Sequence, residues 1–140
     1  MVVPKGNPEN IQKLDDLIGK KVACGVGGNE TAMLQEMYPN GEVELLVVET
    51  GNLLQVTTGK ASACVQGAAA SSVEIKDNDL PLEIVGDTIY LEEDAYAFAK
   101  NERGDALRKK VDAALEEMHN DGTLSELAIK WFGYDISVKE

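Results

Sequence analysis

Gly19-Lys20-Lys21-Val22-Ala23-Cys24-Gly25-Val26-Gly27-Gly28-Asn29, continued by Glu30-Thr31-Ala32-Met33-Leu34, is the stretch from which the fold follows. A short apolar run bounded by glycines, then a small polar residue, then helix-compatible sequence reads as a strand, a tight turn and a helix start. That is half of a βαβ unit. Asn29 is of the type that caps helices, and the glycines before it let backbone approach a group over the helix end, where first-turn N–H groups and the dipole favour an anion. The simpler reading, in which Gly27 and Gly28 only make the turn, stands beside it. The spacing is not a phosphate loop, because no Gly-Lys-Ser/Thr ending and no Gly-x-Gly-x-x-Gly is present.

Working outward, Val43 to Val48 is a second strand whose near-continuous apolar character implies cover on both faces. Leu53 to Thr58 reads as a helix stopped by Gly59, with Thr50 or Asn52 as its cap. Ala61 to Val65 is a third strand, Gln66-Gly67 the turn at its carboxyl end, and Ala68 to Val73 another helix start. This alternation predicts an α/β fold: an open, mostly parallel sheet with right-handed crossovers and helices on both faces, followed by a two-helix C-terminal tail. Val2 to Lys5 reads as an edge strand or the exit from a connection, because Pro4 cannot donate to a ladder. Asn10 to Leu17 reads as a short helix, Leu82 to Val85 as a short strand, and Ala95 to Ala99, alternating bulky and small, as another strand. A long helix over Ala106 to His119 with Asp105 as cap, and a last helix ending near Trp131 with Trp131-Phe132 as a core anchor, complete the reading.

The chain has 140 residues, enough for a core without metals or staples. Its formal net charge of −12 argues against nucleic acid or an anionic membrane as partner, since both repel it at long range. No apolar run reaches membrane-spanning length, and Met1 to Gly6 turns polar too soon for a signal peptide. Cys24 and Cys64 lie in apolar strand-like runs and read as small buried hydrophobes, with a bridge between adjacent strands left open.

In an open α/β sheet, ligands bind outside the carboxyl ends of the strands where strand order reverses. If the Lys21–Gly25 strand is central, the loops flanking that point are Gly27-Gly28-Asn29 and Gln66-Gly67. Gly28, Asn29, Glu30, Gln66 and Gly67 are then one candidate ligand site, with backbone N–H groups from Gly28 and Glu30 and side-chain amides from Asn29 and Gln66. None is a strong base or nucleophile, so no catalytic residue is expected. His119 at a helix end and the acidic runs Asp15-Asp16, Glu92-Glu93-Asp94 and Glu116-Glu117 read as solvated surface, and with no convergent His or Cys cluster no metal or cofactor is expected.

Three stretches together carry a resemblance: Asp16-Leu17-Ile18-Gly19-Lys20-Lys21-Val22, Gly59-Lys60-Ala61-Ser62-Ala63, and Asp121-Gly122-Thr123-Leu124-Ser125-Glu126-Leu127-Ala128-Ile129-Lys130-Trp131-Phe132-Gly133. They resemble the polar-amino-acid type of bacterial extracytoplasmic solute-binding protein, the type II periplasmic binding fold. The resemblance implies a receptor that captures a small polar solute, an amino acid or related carboxylate, between two lobes. It closes about a hinge and presents the solute to an ABC transporter permease on the periplasmic or extracellular face of the membrane. It also implies that residues 1–94 are the second lobe and 95–140 a strand and helices that complete the first, most of which is absent from this chain. Such proteins often carry a Thr or Ser pair where this chain has Gly28 and Asn29, and Asp where it has Ser62 and Gly67. The second Asp ordinarily meets the solute's ammonium, so its loss weakens the case for an α-amino acid. Two alternatives follow from the same fold: an enzyme of the cyclic-acid dehydratase kind, or a truncated domain that binds little and forms a homodimer through its C-terminal helices, exchanging the tail between copies.

Overall fold

The computed structural model describes residues 1–91 and 95–138, so the acidic run Glu92-Glu93-Asp94 lies outside the described residues. The chain divides into two compact units, Met1–Thr88 and Ile89–Glu140.

In the first unit the strands are β1 (Val2–Pro4), β2 (Lys21–Gly25), β3 (Glu44–Val48), β4 (Ala63–Cys64) and β5 (Leu82–Ile84), and the helices are α1 (Asn29–Met37), α2 (Asn52–Thr57) and α3 (Ala68–Asp77). They form one sheet in the order β3-β2-β4-β1-β5. β2 pairs parallel with both β3 and β4, whereas β1 is antiparallel to β4 and to β5. The sheet is therefore mixed, and the expected parallel character holds for the β3-β2-β4 half; the cover on both faces expected for the second strand does not, because β3 is an edge strand with Val47 42 % exposed.

From β2 the chain moves outward to β3 through α1, then back across β2 to β4 through α2. Right-handed crossovers in opposite directions put α1 and α2 on opposite faces. On the α2 face, Val2, Ala23, Leu53, Val56, Ala61, Cys64 and Leu82 form a buried cluster, with Leu46, Ile75 and Leu80 packed against it. Val3, Val22 and Cys24 alternate with these residues and so face the other side, and they too are fully buried. Since Ala23 stands opposite Cys64 in the β2–β4 register, Cys24 and Cys64 project to opposite faces; both are free and buried. The bridge that the sequence left open is excluded by this register.

Two local readings need correction. β1 is an internal strand, not an edge, and Pro4 is tolerated because Lys5 gives its N–H to Pro81 on the β5 side at 2.9 Å. By alternation, the proline nitrogen then faces the β4 side, where pairing is confined to Val2 and Cys64. The expected helix over Asn10 to Leu17 contracts to a 3₁₀ turn, Leu14–Leu17. Asn7, at positive φ, holds the preceding loop by accepting from Ile11 N at 2.9 Å and donating to Ile11 O at 2.8 Å.

The second unit contains α4 (Glu102–Asn120) and α5 (Thr123–Phe132), packed on each other. The expected strand over Ala95 to Ala99 does not form. Its alternation has no partner ladder among the described residues of this unit, and Tyr96 is 73 % exposed. The long helix begins earlier than Asp105, at Glu102, with Asn101 as its cap: Asn101 Oδ1 accepts the Gly104 N–H at 2.8 Å. Trp131 is not a core anchor, being 60 % exposed with the Lys130 ammonium 5.2 Å from its ring centroid. No helix among the described residues is long and apolar enough to cross a membrane.

Candidate functional site

The reversal of strand order falls between β2 and β4, so the loops leaving their carboxyl ends flank the switch point. β2 leads through Val26-Gly27-Gly28 into α1, and β4 leads through Val65-Gln66-Gly67 into α3. The two sequence-derived halves of the site therefore lie at one edge of the sheet.

The β2–α1 turn is built by one carbonyl. Gly25 O accepts the Gly28 N–H at 3.2 Å and the Thr31 hydroxyl at 2.6 Å. The Gly28 N–H, expected to face a ligand, is consumed in this turn, which moves the donor role to the first turn of α1, where Glu30 and Thr31 have no intrahelical acceptor. Gly27 sits at φ 69°, a conformation that glycine adopts without strain. A Cβ on Gly28 would lie 3.3 Å from Gly25 O and 3.0 Å from Glu30 Oε2, so the Glu30 carboxylate folds back over the same helix end.

The β4–α3 loop is organised by Gln66. Its Oε1 accepts from Asn52 Nδ2 at 3.1 Å and from the Cys64 thiol at 3.4 Å. Its Nε2 donates to Ser71 Oγ at 3.0 Å, and the Ser71 hydroxyl donates to Gly67 O at 2.8 Å. Gln66 was expected to offer a ligand both a donor and an acceptor; its oxygen is instead engaged within the protein. Burial pushes the Cys64 thiol up to about 12, so it is a hydrogen-bond donor and not a thiolate. Gly67 caps α3 at φ −53°, and nothing lies within 4 Å of where its Cβ would be. The space that an acidic side chain would use at this position is open.

Asn52 is the residue that the sequence reading missed as part of the site, having weighed it only as a helix cap. It opens α2 after β3, and because β3 is parallel to β2 that loop reaches the same edge. Its Nδ2 would be 3.7 Å from a Cβ on Gly25, so it joins the ends of β2 and β4. Placement by the strand-end rule would have found it; hydrogen-bonding type alone did not.

The edge holds amides, a hydroxyl, first-turn N–H groups and the Glu30 carboxylate, which can bind and orient a solute. Among the described residues no group of three His, Cys, Asp or Glu is placed to hold a metal ion. A separate cavity of about 270 Å³, lined by Pro4, Glu9, Lys21, Val56, Lys60 and Ser62 among others, lies toward the amino-terminal ends of β2 and β4. It is remote from the switch point and is lined by residues already paired in part, Glu9 to Lys20 at 2.6 Å and Lys21 to Glu44 at 2.7 Å.

Residues 1–134 match the family of bacterial extracellular solute-binding proteins, family 3. The chain is 39 % identical over its whole length to the probable amino-acid-binding protein YxeM of Bacillus subtilis, covering 53 % of that protein. It is 31 % identical to the L-cystine-binding protein TcyJ of Escherichia coli, covering 97 % of this chain and 50 % of the relative. Among solved structures, the probable amino-acid ABC transporter extracellular-binding protein YtmK of Bacillus subtilis superposes with a TM-score of 0.77 at 28 % identity, over 94 % of this chain and 58 % of that one. The chain thus spans about half the length of the curated relatives it matches. With the match running through both units, the chain belongs to the bacterial extracellular solute-binding proteins of family 3.

Proposed function

We propose that the chain contributes one face of an interlobe cleft in the solute receptor of an ABC importer, working outside the membrane and handing a small polar solute, an amino acid or related carboxylate, to the permease. In this reading residues 1–94 are the second lobe and 95–140 the segment that completes the first. Gly28, Asn29, Glu30, Gln66 and Gly67 form the solute-facing edge.

One observation carries the reading. α1 and α3 begin at the carboxyl ends of neighbouring parallel strands, so the positive ends of two helices meet at the switch point. Glu30 offsets the positive end of α1, whereas the first turn of α3, Ala68-Ala69-Ala70, holds no acidic residue and leaves its positive end uncompensated. A solute carboxylate suits such an edge, and the relatives named for amino acids and cystine carry carboxylates. The dehydratase alternative is disfavoured because the relatives bear the names of binding proteins.

A thermal-shift screen with the common amino acids, L-cystine and small dicarboxylates tests the proposal. A solute at a hundredfold excess over its Kd stabilises by about 2.7 kcal/mol, which raises Tm by several degrees. No shift with any of these solutes would overturn the reading. A shift that survives Asn29→Ala and Gln66→Ala unchanged would overturn the assignment of the edge.

A further inference from the structure

The hydrogen bonds around Gln66 have a direction. Gly67 O is a backbone carbonyl and can only accept, so the Ser71 hydroxyl must donate to it, and Ser71 Oγ is left to accept from Gln66 Nε2. That favours the Gln66 amide with its nitrogen toward Ser71 and its oxygen toward Asn52, whose Nδ2 holds it there. The sequence of bonds ends on Asn52 Oδ1, which is buried and has no partner, the one such side-chain atom among the described residues. Turning the Asn52 amide over would set two carbonyl oxygens against each other. The unpaired oxygen is therefore the cost of holding Gln66 in a single orientation.

We propose that Asn52 is a positioning residue that locks the Gln66 side chain with its oxygen inward, so that the site meets its solute with the remaining Nε2–H donor and discriminates against donor groups. Resting on the solute-binding reading above, this adds the chemical class that the edge reads. Gln66 Nε2 has two hydrogens and gives one to Ser71; its oxygen already accepts from Asn52 and Cys64. With Gly67 lacking a carboxylate, no side-chain acceptor of the β4–α3 loop is left for an ammonium. The lock selects solutes that present a carboxylate or carbonyl oxygen here. An amide free to turn would accept from an ammonium as readily as it donates to a carboxylate.

Side-chain amide exchange measured by NMR on the ¹⁵N-labelled chain, with Gln66→Glu to assign the signal, tests the lock without any solute. The Gln66 Nε2 proton given to Ser71 should exchange about tenfold more slowly than those of exposed Gln12 and Gln35, the factor a net hydrogen bond of this kind supplies. Asn52→Ala should bring it to the exposed rate. Asn52→Asp, isosteric but without the Nδ2 donor, should do the same and serves if the alanine variant fails to fold. Thermal shifts with glutarate and 1,5-diaminopentane then read selectivity: the native chain responds to glutarate alone, and both variants lose that preference. Rapid Gln66 exchange in the native chain, or slow exchange retained in both variants, would overturn the role of Asn52 while leaving solute binding intact. Altered exchange with unaltered preference would also overturn it. Failure of every solute, in this pair and in the broader screen, would instead remove the binding reading and the proposed selectivity with it.

Discussion

The Thr31 hydroxyl donates to the carbonyl of Gly25 at 2.6 Å, and through this bond the first turn of α1 is fastened to the end of the central strand. Thr31 is 7 % exposed, so the bond is made where water does not compete freely. Thr31→Val keeps the shape and removes the donor, leaving Gly25 O with the longer bond from Gly28. A loss of about 1 kcal/mol in unfolding free energy is expected from urea denaturation. A variant as stable as the parent would show that the turn does not depend on this bond.

Gly104 lies in the first turn of α4, where an alanine would ordinarily help the helix by about 1 kcal/mol. Here a Cβ would collide with the carbonyl oxygen of Ala99, part of the turn that also receives the Asn101 N–H at 2.9 Å. Gly104→Ala should therefore destabilise, by about 2 kcal/mol or more, and shorten α4 at its start. Circular dichroism through a thermal melt reads this, and a Tm at or above that of the parent would contradict it.

Gly67 invites the opposite experiment. Its backbone angles suit any residue, and the Cβ position is open. Gly67→Asp should change stability by only a few tenths of a kcal/mol, the usual difference between these two residues at a helix cap. It should also move the thermal-shift response toward solutes bearing an ammonium, through the added carboxylate. Unchanged solute preference in a folded variant would argue that this position does not face the solute.

Asp16 accepts backbone N–H bonds from Gln12 at 2.8 Å and Lys13 at 3.0 Å, which hold its carboxyl below the ordinary value of 3.8. A carboxylate depressed by folding contributes stability that is fully present above the unfolded-state value and lost as pH falls through the folded one. Asp16→Asn should therefore be less stable than the parent at neutral pH, and the gap should close in acid below the ordinary carboxylate range. A gap independent of pH would show that these bonds do not favour the charged form.

Cys24 and Cys64 project from opposite faces of adjacent strands. Ellman titration should find neither thiol reactive in the folded chain and both reactive in denaturant, and air oxidation should leave the intact mass unchanged. A loss of two hydrogens would contradict the β2–β4 register.

The parallel half of the sheet and its switch point were legible because Lys21–Gly25, Val43–Val48 and Ala61–Val65 are apolar runs closed by glycine or polar turns, although the same pattern overstated the burial of β3, which ends the sheet and has only one neighbour. What escaped depended on partners. Pro4 looks like an edge residue until one sees which strand lies on its nitrogen side, and Ala95 to Ala99 alternates like a strand but has no ladder to join. Asn101 was passed over as a cap because Asp105, four residues on, is an equally good capping type. At the site, residue types named Asn29 and Gln66, but no sequence pattern tells that the Gly28 N–H is spent on Gly25, or that Asn52 takes up the oxygen of Gln66.

Solute binding at the carboxyl ends of β2 and β4 is read by a ¹H–¹⁵N correlation spectrum recorded while the solute with the largest thermal shift is titrated into the labelled chain. Amide shifts should concentrate at residues 25–31 and 66–71. Shifts gathered instead around Glu9, Lys21 and Lys60 at the other end of the strands, or no shift at all, would contradict it.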